Sequence, residues 1–77
     1  MIQPEQIKSV IENGLQCHHV EVAGDGHHFE ALVVSEAFRG LTRIARHRLV
    51  YATLGERMRE EIHALSMKTL TPEEQGS

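Results

Sequence analysis

The hydrophobic and polar positions of this chain follow a helical spacing first and then alternate. The first apolar stripe has the i, i+3, i+4, i+8 spacing of one helix face and consists of Ile7, Val10, Ile11 and Leu15. It predicts a helix over residues 4–15, with Pro4 in the first turn and Gly14 near the end. Residues 18–23 then alternate between apolar and polar side chains, which predicts a half-buried strand.

A turn signal follows this strand. Gly24-Asp25-Gly26 predicts a tight turn, and residues 28–35 are rich in strand-forming side chains. The two segments together predict a β-hairpin. The centre of its second strand, residues 31–34, is apolar on both faces, which is typical of a strand covered by helices on one side and partly flanked on the other.

Helical spacing returns from Thr42 to about Ile62. The first apolar stripe of this segment consists of Leu41, Ile44 and Ala45, with Leu49 continuing it. The second is spaced by four and consists of Val50, Leu54, Met58 and Ile62. Such stripes are typical of helices that pack on a core. Gly55 lies inside the second stripe and costs about 1 kcal/mol relative to alanine in a helix interior. The change of stripe and this glycine predict two helices or a bend.

The end of the chain alternates again over residues 64–70, which predicts a third strand. Thr71 and Pro72 then resemble an N-cap and a first helical position, and we expect residues 73–77 to form a frayed tail. The order α-β-β-α(α)-β-(α) predicts one α+β domain over residues 1–77, in which helices cover a small three-stranded mixed sheet.

Composition narrows the class of function. The chain has 77 residues and a single cysteine, so it has no internal disulfide and fits a reducing cytosol. It contains no apolar run of the roughly 20 residues needed to span a bilayer and no secretory signal. We therefore expect a cytoplasmic protein. A domain of this size leaves little room for a deep cleft, and no nucleophile–base pair or phosphate loop is visible, which favours a binding or adaptor role over an enzyme.

The net charge of −3 hides an asymmetry. Residues 39–59 contain six arginines and one glutamate, a balance of +5, so the remainder carries −8. We predict a binding surface for an acidic partner or a phosphate backbone, formed by Arg43, Arg46, His47 and Arg48. Arg43 and Arg46 share one side of the predicted helix. The alternative interpretation is a solvated helix face with salt bridges.

Nucleic-acid binding has weaker support. The chain contains no G-x-x-G, the sequence with which KH domains hold a nucleotide backbone, and it has only three aromatic residues. A helix-turn-helix around residues 43–58 stays open as an alternative because that segment is basic.

Histidines supply the candidate metal ligands. His63 lies where the helical pattern gives way to a strand, and a neutral imidazole binds iron; the alternative is a capping histidine. Asp25, His27 and His28 lie together on the predicted turn, either as metal ligands or as a solvated surface. Cys17 precedes two histidines, but neighbouring residues of a strand point to opposite faces, so we expect a partly buried thiol and no zinc site.

These residues resemble the BolA family. The matching positions run in order from about Ile7 to Pro72 and include Phe38, Gly40, Arg46-His47-Arg48, Val50-Tyr51, His63-Ala64 and Lys68-Thr69-Leu70-Thr71-Pro72. The hairpin tip over residues 22–29 is similar to the IbaG-like branch. The resemblance implies a class II KH-like fold and partnership with a monothiol glutaredoxin. It also implies roles in iron–sulfur trafficking, iron homeostasis and stress response, and in some members DNA-binding transcription regulation.

The resemblance also implies a ligand set. His63 corresponds to the family's cluster-ligating histidine, and the hairpin tip supplies a second ligand, for which we prefer His27 to His28. Asp25 lies near the position where some relatives carry cysteine, so ligation by two histidines is expected. A [2Fe-2S] cluster is then bound only in the heterodimer with glutaredoxin and glutathione, and the isolated chain is a monomer without cofactor.

Overall fold

The computed structural model describes residues 2–62 and 64–76, without the side chains at positions 57–59. The helices are α1 (Pro4–Gly14), α2 (Arg43–Glu61) and α3 (Pro72–Gly76), and the strands are β1 (His19–Gly24), β2 (His28–Val34) and β3 (Ala64–Leu70). A single 3₁₀ turn over Glu36–Phe38, which the sequence pattern did not predict, connects β2 to the loop before α2. Within the described residues, no helix has both the length and the apolarity to cross a bilayer.

The three strands form one sheet in the order β1-β2-β3. The β1–β2 hairpin is antiparallel, with Val20 opposite Val33. β3 pairs in parallel with β2, with Phe29 opposite Leu65. Parallel neighbours require a crossover connection, and α2 provides it. The predicted α+β fold class with a small mixed sheet is confirmed.

The core lies between the helices and one face of the sheet. Ile7 and Ile11 of α1 are completely buried, as the predicted stripe requires. They belong to the same apolar cluster as Phe29 and Val33 of β2 and Val50 of α2, all at most 1% exposed. Burial of one such side chain contributes about 1.5 to 3 kcal/mol, so this cluster is the main source of stability.

Gly55 interrupts α2 as predicted. Its φ of 72° and ψ of 162° lie outside the helical region, so two helical segments meet there. No side chain occupies this conformation easily, which explains a glycine inside an otherwise helical pattern. Val50 and Leu54 precede the kink and are buried, while Ile62 packs at the edge of the core.

The first apolar stripe of the α2 segment is only partly directed to the core: Leu49 packs against the core, whereas the start of the stripe does not. Leu41 is 36% exposed and Ile44 is 66% exposed. Val50 fixes which side of the helix faces the sheet, and Ile44, six residues earlier, projects about 120° away from it. Arg46 and His47, one turn before Val50, take the inward positions instead.

The expected frayed tail is also corrected, since its described part continues α3 through Gly76. Thr71 caps the helix: its Oγ1 accepts the Glu74 N–H at 3.2 Å, and the Glu74 carboxylate accepts the Thr71 N–H at 2.8 Å. This reciprocal pair satisfies two backbone donors at the helix start. Arg39 pairs with Glu73 at 2.9 Å and Arg46 pairs with Glu74 at 2.7 Å, so two ion pairs hold α3 to the rest of the domain.

Candidate functional site

The hairpin tip is organised by one carboxylate. Asp25 Oδ1 accepts the backbone N–H groups of His27 and His28, both at 2.9 Å. These hydrogen bonds hold the pKa of Asp25 below its ordinary value, so the carboxylate is charged at neutral pH. Gly26 provides the positive φ, 98°, that the turn needs. Asp25 therefore shapes the loop that displays the two histidines, and its Oδ1 is committed to that loop.

The tip is tight as well as fixed. A Cβ atom at Gly24 would lie 2.5 Å from both the His28 carbonyl oxygen and Phe29 Cδ1. Phe29 is buried in the core, so neither neighbour has room to move. The absence of a Cβ atom at Gly24 therefore allows β1 to approach the start of β2, at His28, this closely.

Strand register decides which histidine lies beside the third strand. His28 is opposite Ala64, the first residue of β3. Because Phe29 points into the core, the side chain of His28 faces the open side of the sheet, where it is exposed. His27 is exposed on the turn. The predicted ligand His63 lies outside the described residues, but the residue that follows it, Ala64, pairs with His28.

Within the described part of the chain, no group of three or more histidine, cysteine or acidic side chains is arranged to hold a metal ion. Cys17 is half-buried, as expected, and its Sγ donates to the Leu15 carbonyl oxygen at 3.3 Å. Burial, with Glu12 adding to it, raises the pKa of this thiol. These features are those of a small, partly buried thiol.

The Arg-His-Arg triplet is divided between the interior and the solvent. Arg46 donates from Nε to the Leu41 carbonyl oxygen at 3.0 Å and from Nη1 to the Thr69 carbonyl oxygen at 3.1 Å. Its guanidinium lies 6.0 Å from the centre of the Phe38 ring and pairs with Glu74. With a side chain only 13% exposed, Arg46 holds α2, β3 and α3 together and presents little of its charge to a partner.

Arg46 and Tyr51 also cover the outer edge of β3. The Leu70 carbonyl oxygen accepts the Ser35 N–H at 2.9 Å, so it points towards β2. Carbonyls alternate along a strand, so those of Leu65 and Thr69 point outward. Tyr51 donates its hydroxyl to the Leu65 oxygen at 3.5 Å, and Arg46 donates to the Thr69 oxygen. These contacts hinder another strand from pairing with this edge.

The other members of the triplet region differ in exposure. His47 is half-buried, and its Nε2 has no hydrogen-bond partner among the described residues. That nitrogen is enclosed and is not offered to a partner. Arg43 and Arg48 are exposed, and neither makes an ion pair within the described structure. Of the four predicted partner-binding residues, the structure leaves these two arginines facing solvent.

Together, these features indicate the structural class of the protein. The chain is a small α+β domain with two exposed histidines at one end of its sheet and solvent-facing arginines on its long helix.

Comparison with known proteins gives the family. A family model described as BolA-like protein matches residues 2–74, and the chain belongs to this family. It is 39% identical over 74 residues to the acid stress protein IbaG of Escherichia coli strain K12, covering 95% of this chain and 88% of that protein. It is 44% identical over 72 residues to the DNA-binding transcriptional regulator BolA of Vibrio cholerae, covering 94% of this chain and 65% of that protein.

The fold agrees with this assignment. The solved structure of a BolA protein homologue from Coxiella burnetii superposes with a TM-score of 0.89 at 50% identity, and all of both chains is covered. The BolA-like family expected from the sequence is therefore confirmed.

Proposed function

We propose that this chain is an adaptor that binds a monothiol glutaredoxin and shares or transfers a [2Fe-2S] cluster with it, in iron–sulfur trafficking, iron homeostasis and stress response. The observation that carries the proposal is the pairing of His28 with Ala64. The hairpin tip therefore lies beside Ala64, the residue that follows His63 in the chain, at one end of the sheet. Membership of the BolA-like family supports the same function.

The donor chemistry fits a shared cluster. The hairpin tip and His63 offer imidazoles, and the described residues provide no set of three ligands that would hold metal alone. The remaining positions on the cluster belong to the thiolates of glutaredoxin and glutathione. Histidine in place of cysteine on one iron raises the reduction potential, as in Rieske centres. Because protons compete with iron for imidazole, the shared cluster should also be labile in acid.

The strand register changes our preference for the second ligand. His28 lies next to Ala64 in the ladder, whereas His27 is one residue further from β3 on the turn. We therefore propose His63 and His28 as the pair, with His27 as the alternative.

Anaerobic reconstitution with a monothiol glutaredoxin and glutathione tests this function. We expect a coloured heterodimer whose absorption and circular dichroism spectra differ from those of the glutaredoxin homodimer. His63→Ala should change the spectrum or shorten the lifetime of the cluster. The matched control is His19→Ala, which removes an exposed histidine of β1, at the end of that strand away from the hairpin tip. An unchanged spectrum and lifetime in His63→Ala would contradict the proposed ligand.

DNA-binding transcription regulation is the second candidate. The relative from Vibrio cholerae carries that name, and Arg43 and Arg48 are exposed without ion pairs in the described structure. If they contact two phosphates, the affinity for duplex DNA should fall with salt with a logarithmic slope of about −2. Fluorescence anisotropy with labelled duplex DNA at several salt concentrations measures this slope, and no binding at low salt would remove this candidate.

A further inference from the structure

We infer that Ile44 and Leu41, flanked by Arg43 and Arg48, form a docking patch for an acidic protein surface with an apolar residue at its centre. These four residues are called the α2 patch below. The inference rests on the proposed function, because the partner that we assign to the α2 patch is the monothiol glutaredoxin.

Exposure is the first observation. Ile44 is 66% exposed and Leu41 is 36% exposed, although both are large aliphatic side chains. One of them alone on a surface needs no explanation. Here the two are three residues apart and both are exposed, Leu41 in the loop before α2 and Ile44 in the first turn of that helix. Paired apolar side chains of this kind are what the centre of a protein interface contains.

The charges around the pair are the second observation. Arg39 is neutralised by Glu36 and Glu73, and Arg46 by Glu74. Arg43 and Arg48 have no such partner within the described structure. The fold therefore neutralises Arg39 and Arg46, and among the described residues it leaves the two arginines of the α2 patch without an ion pair.

Helix geometry places the unpaired arginines around the isoleucine. At about 100° per residue, Arg43 lies about 100° to one side of Ile44 and Arg48 about 40° to the other. A partner that contacts Ile44 thus meets a cation on each side. Charge complementarity requires carboxylates on that partner, arranged around an apolar contact.

A protein fits this arrangement better than nucleic acid does. Phosphate contacts need arginines and polar groups but gain nothing from an exposed isoleucine. Burial of Ile44 by a partner removes apolar surface from water, which is the usual contribution of an interface centre. Enclosure of the His47 Nε2 and the internal contacts of Arg46 further reduce the groups available for phosphate.

Isothermal titration of the full chain with cluster-free monothiol glutaredoxin tests the inference. Ile44→Ser should weaken binding about tenfold, the effect of a central interface residue. Arg43→Gln and Arg48→Gln should each weaken it severalfold at low salt and less at high salt, because exposed charges are screened. The matched control is Lys8→Gln, which removes an exposed cation of α1 outside the α2 patch, and its affinity should be unchanged.

The outcomes separate this inference from the proposed function. If Ile44→Ser binds as the unmodified chain does while the heterodimer still forms its cluster, the α2 patch is not the docking site but the adaptor function stands. If the unmodified chain neither binds glutaredoxin nor forms a cluster with it, both are overturned. Labelled duplex DNA is the comparison ligand. If Arg43→Gln and Arg48→Gln lose affinity for this DNA and Ile44→Ser does not, the α2 patch is a nucleic-acid surface and the inference is wrong.

Discussion

Replacement of Arg46 by methionine tests whether this arginine is structural. The change keeps the unbranched stem over Phe38 and removes the guanidinium. Two hydrogen bonds from a charged donor are lost, to the Leu41 oxygen at 3.0 Å and the Thr69 oxygen at 3.1 Å, and each contributes about 1.5 kcal/mol, the lower end of the range for a charged group. The ion pair with Glu74 adds little because that carboxylate is 45% exposed. We expect a loss of about 3 kcal/mol.

This loss is large for a small domain. At 0.05 to 0.15 kcal/mol per residue, the whole chain has a free energy of unfolding of about 4 to 12 kcal/mol. The melting temperature should fall by about 10 to 20 °C. Urea unfolding followed by circular dichroism measures the change, with Arg48→Met as the control that removes an exposed arginine from the same triplet. A change within about 0.5 kcal/mol of the unmodified chain, as expected for an ordinary surface substitution, would refute the structural role.

Three further sets of substitutions test other contacts of the domain. The hydrogen bond from Arg46 first, and then the one from the Thr71 N–H, lower the pKa of Glu74 from 4.5 to about 2. The stabilising effect of the Glu74 carboxylate is therefore fully present above pH 4.5 and is lost as the pH falls towards 2. The difference in the free energy of unfolding between the unmodified chain and Glu74→Gln, measured at a series of pH values, should shrink over that window, and a constant difference would be contrary evidence. Thr69→Val removes a buried hydroxyl without a hydrogen-bond partner among the described residues and should leave the stability unchanged or raise it. Thr71→Val removes a helix cap and should lower the stability by about 1 kcal/mol. Denaturant midpoints that rank the two variants the other way would contradict both assignments. Gly24→Ala places a Cβ 2.5 Å from backbone and core atoms and should cost about 1 to 3 kcal/mol, and a melting temperature equal to that of the unmodified chain would show that the hairpin tip can relax.

The local features of the fold were predictable because they depend on neighbouring residues. Ile7 and Ile11 form the buried stripe of α1, and Gly24 to Gly26 form the predicted turn. Gly55 marks the kink of α2 because its positive φ is one that other residues rarely adopt. Spacing and turn chemistry identify such features without knowledge of the tertiary structure.

Features that depend on distant residues were missed. Ile44 matches a helical stripe, yet it is exposed because the position of the sheet, set by Val50, decides which side of α2 is inward. Arg46 looked like a docking residue because its partners, Thr69 and Glu74, are 23 and 28 residues further along the chain. The sequence offered one signal, the acidic side chain of Glu74 at a predicted helix start, but its pairing with Arg46 depends on the tertiary structure.

The candidate site was predictable only in part. The histidines at the hairpin tip and at position 63 stood out by chemistry and by family resemblance, but the preference between His27 and His28 depended on strand register. A one-residue change of register moves every side chain to the other face, so composition alone does not decide which histidine is displayed beside β3.

If the proposed function is right, this chain provides imidazole ligands to a cluster shared with glutaredoxin. Pulsed electron paramagnetic resonance of the reduced heterodimer, with only this chain labelled with 15N-histidine, detects such ligands directly. We expect 15N couplings of directly bound nitrogen that are lost in the double variant His28→Ala, His63→Ala and retained in His19→Ala. A cluster-containing heterodimer without any such coupling would show that the imidazoles of this chain do not bind the cluster.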